Sequence, residues 1–84
     1  MLVMLVKAKR SMMRPKGGRF CTVDRLYKLV HIPSQSHAHY YSVRNVDGVL
    51  MGYWASQEAP DKDKEFQTLF NVLCYGKVDV RKAG

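Results

Sequence analysis

The apolar positions of the chain fall into short runs separated by polar turns, and their spacing predicts several strands. Residues 2–8 are almost continuously apolar, which is typical of a central strand covered on both faces. Residues 39–55 contain two runs rich in β-branched and aromatic residues, one on each side of Asp47 and Gly48. Asp-Gly is favoured in a two-residue type I′ turn, because both central residues of that turn need positive φ. The pattern therefore predicts a β-hairpin over residues 39–55.

This turn would also set the pairing of the hairpin. It pairs Tyr40 with Ala55, Tyr41 with Trp54, Ser42 with Tyr53, Arg44 with Met51 and Val46 with Val49. One face then carries Tyr40, Ser42, Arg44, Met51 and Tyr53. The opposite face carries Tyr41, Val43, Leu50 and Trp54. The second face is the more apolar, so it is predicted to be covered while the first faces solvent.

After Pro60 the apolar positions change to helical spacing. They are Phe66, Leu69, Phe70 and Leu73. Three acidic residues crowd the start of this segment, and Gly76 followed by Lys77 marks its end. These signals predict a helix over residues 61–74. Residues 77–81 alternate between polar and apolar, as in a short closing strand.

Residues 21–32 fit two interpretations. Val23, Leu26, Tyr27 and Val30 share one face of a helix, with Thr22 available as its N-cap. Thr, Val and Tyr are also good strand formers, so a strand is the alternative. We favour the helix. Pro33 ends either element, and residues 34–38 form a polar loop.

In order, these elements predict a small single α+β domain, an antiparallel sheet with one or two helices on one face. The ferredoxin-like β-α-β-β-α-β arrangement is favoured. If residues 21–32 are a strand, the alternative is a small SH3-like barrel with a C-terminal helix packed outside.

The charge of the chain is concentrated in its first half. The formal net charge is +7 over 84 residues, and residues 1–46 hold nine Lys or Arg but only one acid, Asp24. Between residues 7 and 19 no acid occurs, and the basic residues are Lys7, Lys9, Arg10, Arg14, Lys16 and Arg19. Pro15, Gly17 and Gly18 predict that much of this run is a loop. A cluster of this kind attracts polyanions and binds nucleic acid by counterion release.

The charge and the predicted hairpin together indicate a non-enzymatic protein that binds nucleic acid, with RNA or single strands favoured. The basic run would hold phosphates. Tyr40, Tyr53 and Arg44 would form an exposed platform on which unpaired bases stack. The alternative is a small inhibitor or antitoxin-type protein, such as a phage anti-defence factor, whose basic loop docks on an acidic protein surface.

Other features of the chain exclude several classes of site. Cys21 and Cys74 are far apart in sequence and predict neither a disulfide framework nor a zinc site, so both are expected as free thiols in the cytoplasm. The apolar start is too short for a membrane span. Nucleotide-binding glycine loops and paired carboxylates do not occur, and no cofactor or metal is expected.

Three histidines, His31, His37 and His39, lie close together in the sequence. Residues 36–41, Ser-His-Ala-His-Tyr-Tyr, followed by Asp47-Gly48, are similar to the Gly-Ser-His-His segment and following hairpin of HicA-type toxins, although Gln35 replaces the glycine. That resemblance implies a minor alternative, a ribonuclease in which His37 is the general base.

Overall fold

The computed structural model describes residues 2–77, which form seven strands and one short helix. The strands are β1 Leu2–Ala8, β2 Met12–Met13, β3 Arg19–Cys21, β4 Leu26–His31, β5 His39–Asn45, β6 Leu50–Ser56 and β7 Phe70–Lys77, and the helix is α1 Lys64–Leu69. Five strands form one antiparallel sheet in the order β6-β5-β4-β1-β7, and β2 and β3 form a separate hairpin. The predicted α+β class and antiparallel sheet are confirmed. The order of elements differs from the ferredoxin-like order.

The favoured helix over residues 21–32 is wrong, and the alternative strand is correct for residues 26–31. Tyr27 and Leu29 are buried and the intervening Lys28 is exposed, which is the two-residue period of a strand. Val23 and Leu26, which would lie on the buried face of the helix, are exposed. The chain also turns sharply at Asp24, whose φ is +67°. The pairing of β4 with both β1 and β5 outweighs the local helical pattern.

The C-terminal helix is shorter than predicted. It ends at Leu69, and residues 70–77 pair with β1 as an edge strand. Phe66, Leu69 and Phe70 are buried as expected, but Leu73 is 48% exposed. Of the predicted closing strand over residues 77–81, only Lys77 falls among the described residues, where it ends β7.

The hairpin of β5 and β6 has the predicted register along most of its length. Tyr40 pairs with Ala55, Tyr41 with Trp54 and Ser42 with Tyr53. The predicted type I′ turn is wrong, because only Gly48 has positive φ, +86°, while its N–H donates to the Asn45 carbonyl at 3.0 Å. This is the tight turn with a glycine bulge, which adds one residue to the second strand.

A register shift between Val43 and Arg44, which leaves Met51 as an extra residue of β6, reverses two predicted positions. Arg44 pairs with Leu50 rather than with Met51. Leu50, predicted to be covered, is 36% exposed, while Met51 is partly buried and packs against the core. A shift of one residue exchanges the two faces of a strand.

The core lies on one side of the sheet, which we call the inner face. The sheet contributes buried side chains from each of its interior strands and from β7. They are Met4, Val6, Ala8, Tyr27, Leu29, Tyr41, Val43 and Phe70. Phe66 and Leu69 of α1, together with Phe20 and Cys21 of β3, pack against this face. The opposite side of the sheet is the outer face.

Asp63 joins the helix to the sheet. Its Oδ1 accepts hydrogen bonds from the backbone N–H groups of Glu65 at 3.1 Å and Phe66 at 3.2 Å, which caps α1. Its Oδ2 accepts from the Trp54 indole Nε1–H at 3.2 Å. Burial desolvates the carboxylate and would raise its pKa, but the combined hydrogen bonds from Phe66, Ser56, Trp54 and Glu65 lower the pKa below its ordinary value.

We therefore expect acid to destabilise the protein through Asp63. A carboxylate with a lowered folded-state pKa stabilises the fold at pH values above its unfolded-state pKa, and this stabilisation is lost as pH falls through the folded value. The free energy of unfolding of Asp63→Asn should depend less on pH below about pH 5 than that of the parent. Denaturant titrations between about pH 3 and pH 7 would measure this. Asp61→Asn changes an exposed neighbour and should leave the pH dependence of the free energy of unfolding as it is in the parent. The same unchanged pH dependence in Asp63→Asn would refute the assignment.

Candidate functional site

No other helix or strand within residues 2–77 covers the outer face, because α1 and the β2–β3 hairpin both pack on the inner face. Its centre is apolar and half-buried, with Val3 and Leu5 of β1 next to Val30 of β4. The same antiparallel register places Val30 opposite Ser42, and Ser42 opposite Tyr53. A continuous row of side chains therefore crosses the sheet from β6 to β1.

Aromatic rings stack at the β6 end of the outer face. The Tyr40 and Tyr53 ring centroids are 5.6 Å apart and the ring planes differ by 14°. On the other side, the His37 ring stacks on Tyr40 at 6.0 Å and 23°. Tyr53 is 53% exposed and ends the stack. Tyr40 and Tyr53 lie on the same face, as predicted, because the register on this part of the hairpin is the predicted one. Tyr40 was predicted to be exposed but is half-buried between the His37 and Tyr53 rings.

Three exposed cations continue the outer face beyond the tyrosines. Arg44 of β5 lies directly opposite Lys28 of β4, and Lys7 of β1 lies in the next row along the sheet. The Arg44 Nη1 donates to the Gly48 carbonyl at 2.8 Å, so the hairpin turn holds the guanidinium in place. Strands β1, β4, β5, β6 and β7 contain no Asp or Glu. These cations are therefore on a sheet without neighbouring strand carboxylates to neutralise them.

Lys28 is a functional candidate that the sequence interpretation missed. In the favoured helix it had no relation to the hairpin, whereas in β4 it is directly opposite Arg44. The alternative prediction, a strand within residues 21–32, could have placed Lys28 on the sheet. The period of two at Tyr27, Lys28 and Leu29 puts the lysine on the face opposite the core.

The predicted site is divided between two sides of the molecule. Lys7, Arg44, Tyr40 and Tyr53 lie on the outer face. The remaining basic residues, Lys9, Arg10, Arg14, Lys16 and Arg19, are exposed, and they lie on the β2–β3 hairpin or just before it. That hairpin packs on the inner face through Phe20. Lys9 donates from Nζ to the Gln67 carbonyl at 2.7 Å, which directs it toward α1.

The histidines do not converge on one site. The Nδ1 of His37 lies 3.0 Å from the Ser36 hydroxyl, beside the aromatic stack. His31 and His39 have the register of the inner face, and the His31 ring packs edge-on against Tyr41 at 5.5 Å. Among residues 2–77, no group of three potential metal ligands occurs. The ribonuclease alternative therefore has one histidine at the outer face, without a second to act as general acid there.

The two cysteines are free thiols. Cys21 is buried, and burial raises the pKa of its thiol, an effect that the backbone at Met12 and the charge of Arg19 only partly offset. A thiol that stays protonated is a poor nucleophile and a poor metal ligand. Cys21 is therefore part of the core rather than of a reactive site.

The outer face can bind a flat π-system against Tyr53 and anionic groups along Arg44, Lys28 and Lys7.

Comparison of the chain with protein-family models, with curated proteins and with solved structures gave no match. Within residues 2–77, none of the helical structure is long and apolar enough to cross a lipid bilayer.

Proposed function

We propose that this protein is a non-enzymatic nucleic-acid-binding module that holds RNA or another single-stranded segment across its outer face, in preference to duplex DNA. The observation that carries the proposal is the Tyr40–Tyr53 stack, which is exposed at Tyr53, beside three exposed cations on a sheet whose strands contain no Asp or Glu. An aromatic platform next to positive charge is the arrangement by which sheet surfaces bind unpaired bases and their phosphates.

The geometry allows bases and phosphates to be bound at the same time. Neighbouring strands lie about 4.8 Å apart, so Arg44, Lys28 and Lys7 on three adjacent strands extend about 10 Å from the hairpin. A base stacked on Tyr53 leaves its sugar-phosphate backbone free to follow these side chains. Each stacked base contributes about 1–3 kcal/mol.

Duplex DNA is a poorer fit to this surface. Major-groove recognition uses a protruding helix or a two-stranded ribbon. Here α1 is only six residues long and packs on the inner face, and the basic β2–β3 hairpin is held against the same face by Phe20. The cations of the β2–β3 hairpin would then act at long range, raising the rate of encounter with a polyanion without touching the bound segment.

The decisive experiment compares two exposed tyrosines on different faces. Tyr53→Ala should weaken binding of a fluorescein-labelled uridine decamer by about 1–3 kcal/mol, because it removes the end of the stack. Tyr75→Ala is the matched control. Tyr75 is 57% exposed, but its register opposite Met4 places it on the inner face. Fluorescence anisotropy would give both affinities, and equal losses for the two variants would contradict the proposal.

Salt dependence separates the contacting cations from the steering ones. Lys28→Gln should reduce the slope of log affinity against log salt by about 0.7, the value of one phosphate contact to a single strand. Lys16→Gln, on the β2–β3 hairpin, should leave the slope unchanged. If the parent binds no nucleic acid even at low salt, the protein-docking alternative replaces this proposal.

A further inference from the structure

Strand β6 has an open edge within the described residues. It is the last strand of the five-stranded sheet and is hydrogen-bonded to β5 along one edge. In β5, the Tyr40 carbonyl accepts from Ile32, the residue after β4, whereas the Asn45 N–H donates to the Val49 carbonyl on the β6 side. Because backbone direction alternates along antiparallel strands, the N–H and C=O groups of Tyr53 and Ala55 point away from β5.

One outward-pointing group of this edge already has a side-chain partner. The Arg14 Nη1 donates to the Met51 carbonyl at 3.4 Å. This contact identifies the direction in which the edge faces and shows that the β2–β3 hairpin reaches it. An exposed row of backbone donors and acceptors is a template for an added strand.

An apolar groove of about 660 Å³ runs beside this edge, between β6 and the β2–β3 hairpin. Phe20 and Trp54 contribute to it, and the Phe20 ring lies directly over Gly52. Met12 and Met13 border it and are 43% and 59% exposed. Exposed methionines suit a surface that accommodates varied apolar side chains.

The charge of the groove selects the partner. Arg14 and Lys16 are among its lining residues, and none of the lining residues is acidic. A second copy of this chain would bring another formal charge of +7 to the same edge, so self-pairing is opposed by repulsion. An acidic segment is attracted for the same reason.

We infer that the β6 edge binds an extended segment of an acidic partner protein by adding it to the sheet as a sixth strand. Alternate side chains of such a segment point to opposite faces. Apolar side chains would enter the groove beside Trp54 and Met13, and the intervening acidic side chains would lie on the outer side near Tyr53. Arg14 and Lys16 would therefore attract the segment through its net negative charge rather than through direct ion pairs. This site does not depend on nucleic-acid binding by the outer face.

The probe for this inference is a labelled synthetic heptapeptide of alternating glutamate and valine, EVEVEVE, measured by anisotropy. Ala55→Pro removes one outward N–H of the edge, and proline is tolerated at this place in an edge strand. It should weaken peptide binding about tenfold, the loss expected for one or two hydrogen bonds. Ala55→Ser keeps the N–H and should bind like the parent.

A second measurement does not require any variant to fold. The same peptide, N-methylated at alternate residues on its edge-pairing side, has the same side chains and charge but lacks the donors that pair with β6. We expect it to bind at least about tenfold more weakly to the parent protein. Equal binding of both peptides would show attraction by charge alone and overturn the inference.

Other outcomes are equally decisive. Absence of EVEVEVE binding at millimolar concentration, or parent-like binding by a folded Ala55→Pro, overturns the inference. Lys28→Gln should leave peptide binding unchanged while it alters the salt dependence for the uridine decamer. If Lys28→Gln weakens the peptide as much as Ala55→Pro does, the peptide lies on the outer face instead. Dimerisation in sedimentation that Ala55→Pro abolishes would assign the edge to a second copy.

Discussion

Leu69→Ala should lower the free energy of unfolding by about 2–5 kcal/mol, whereas Leu73→Ala should change it by no more than about 0.5 kcal/mol. Leu69 is the last residue of α1 and is 2% exposed within the core cluster. Truncating it removes apolar contacts and leaves a cavity under the helix. Leu73 lies at the irregularity in β7 and is 48% exposed, so its truncation removes little buried surface.

The comparison is sharp because the two substitutions are chemically identical. Chemical denaturation with a fluorescence signal from Trp54 would report both, since that ring packs against Phe66 and Phe70 at 5.6 and 6.4 Å. A domain of this size has a total stability of about 5–15 kcal/mol, so the Leu69 variant would lose a large share of it. Equal losses at the two positions would favour the longer helix that the sequence spacing predicts.

The sequence pattern predicted that α1 exists, but it did not predict where α1 ends. Phe66, Leu69, Phe70 and Leu73 satisfy helical spacing, and the first three are buried in either geometry. Phe70 and Val72 also satisfy the alternation of a strand, and pairing with β1 decides between the two. Local spacing contains no information about a strand edge provided by residues more than sixty positions earlier.

The helix predicted over residues 21–32 was wrong for the same reason. Their helical and strand patterns were both present, and the choice was made by β1 and β5 on either side of β4. The consequence for the candidate site was larger than for the fold class. Lys28 became visible as a partner of Arg44 only when the strand was in place.

The hairpin was the most predictable part of the site, because its register is set locally. Tyr40 and Tyr53 share a face as expected, since the five pairs nearest the open end of the hairpin are the predicted ones or continue them. That the two rings stack on each other was not predicted. One error lies at the turn, where Gly48 alone adopts positive φ and Asn45 receives the closing hydrogen bond. The other lies at the register shift between Val43 and Arg44, which exchanges Leu50 and Met51 between the two faces. The position of the basic run could not be predicted, because it depends on Phe20 packing across the sheet.

Gly52→Val should destabilise the protein by about 1–3 kcal/mol, although valine is the better strand former of the two residues. A Cβ atom at Gly52 would lie 2.7 Å from one atom of the Phe20 ring and 2.8 Å from another, so the ring would have to move. Displacing Phe20 separates the β2–β3 hairpin from β6. Gly76→Val is the control, because a Cβ atom at Gly76 meets nothing within 4 Å.

A double-mutant cycle tests whether Phe20 is the cause. In the parent, Phe20→Ala should cost about 3–5 kcal/mol, because the ring is 6% exposed and packs edge-on to Phe70 at 6.3 Å. In Gly52→Val, the ring is already displaced and the valine fills part of its space, so the same truncation should cost less. The combined loss should therefore be smaller than the two single losses added together, by about 0.5–3 kcal/mol. If the two losses of unfolding free energy are strictly additive, the two positions do not touch, and Phe20 does not form the base of the groove beside β6.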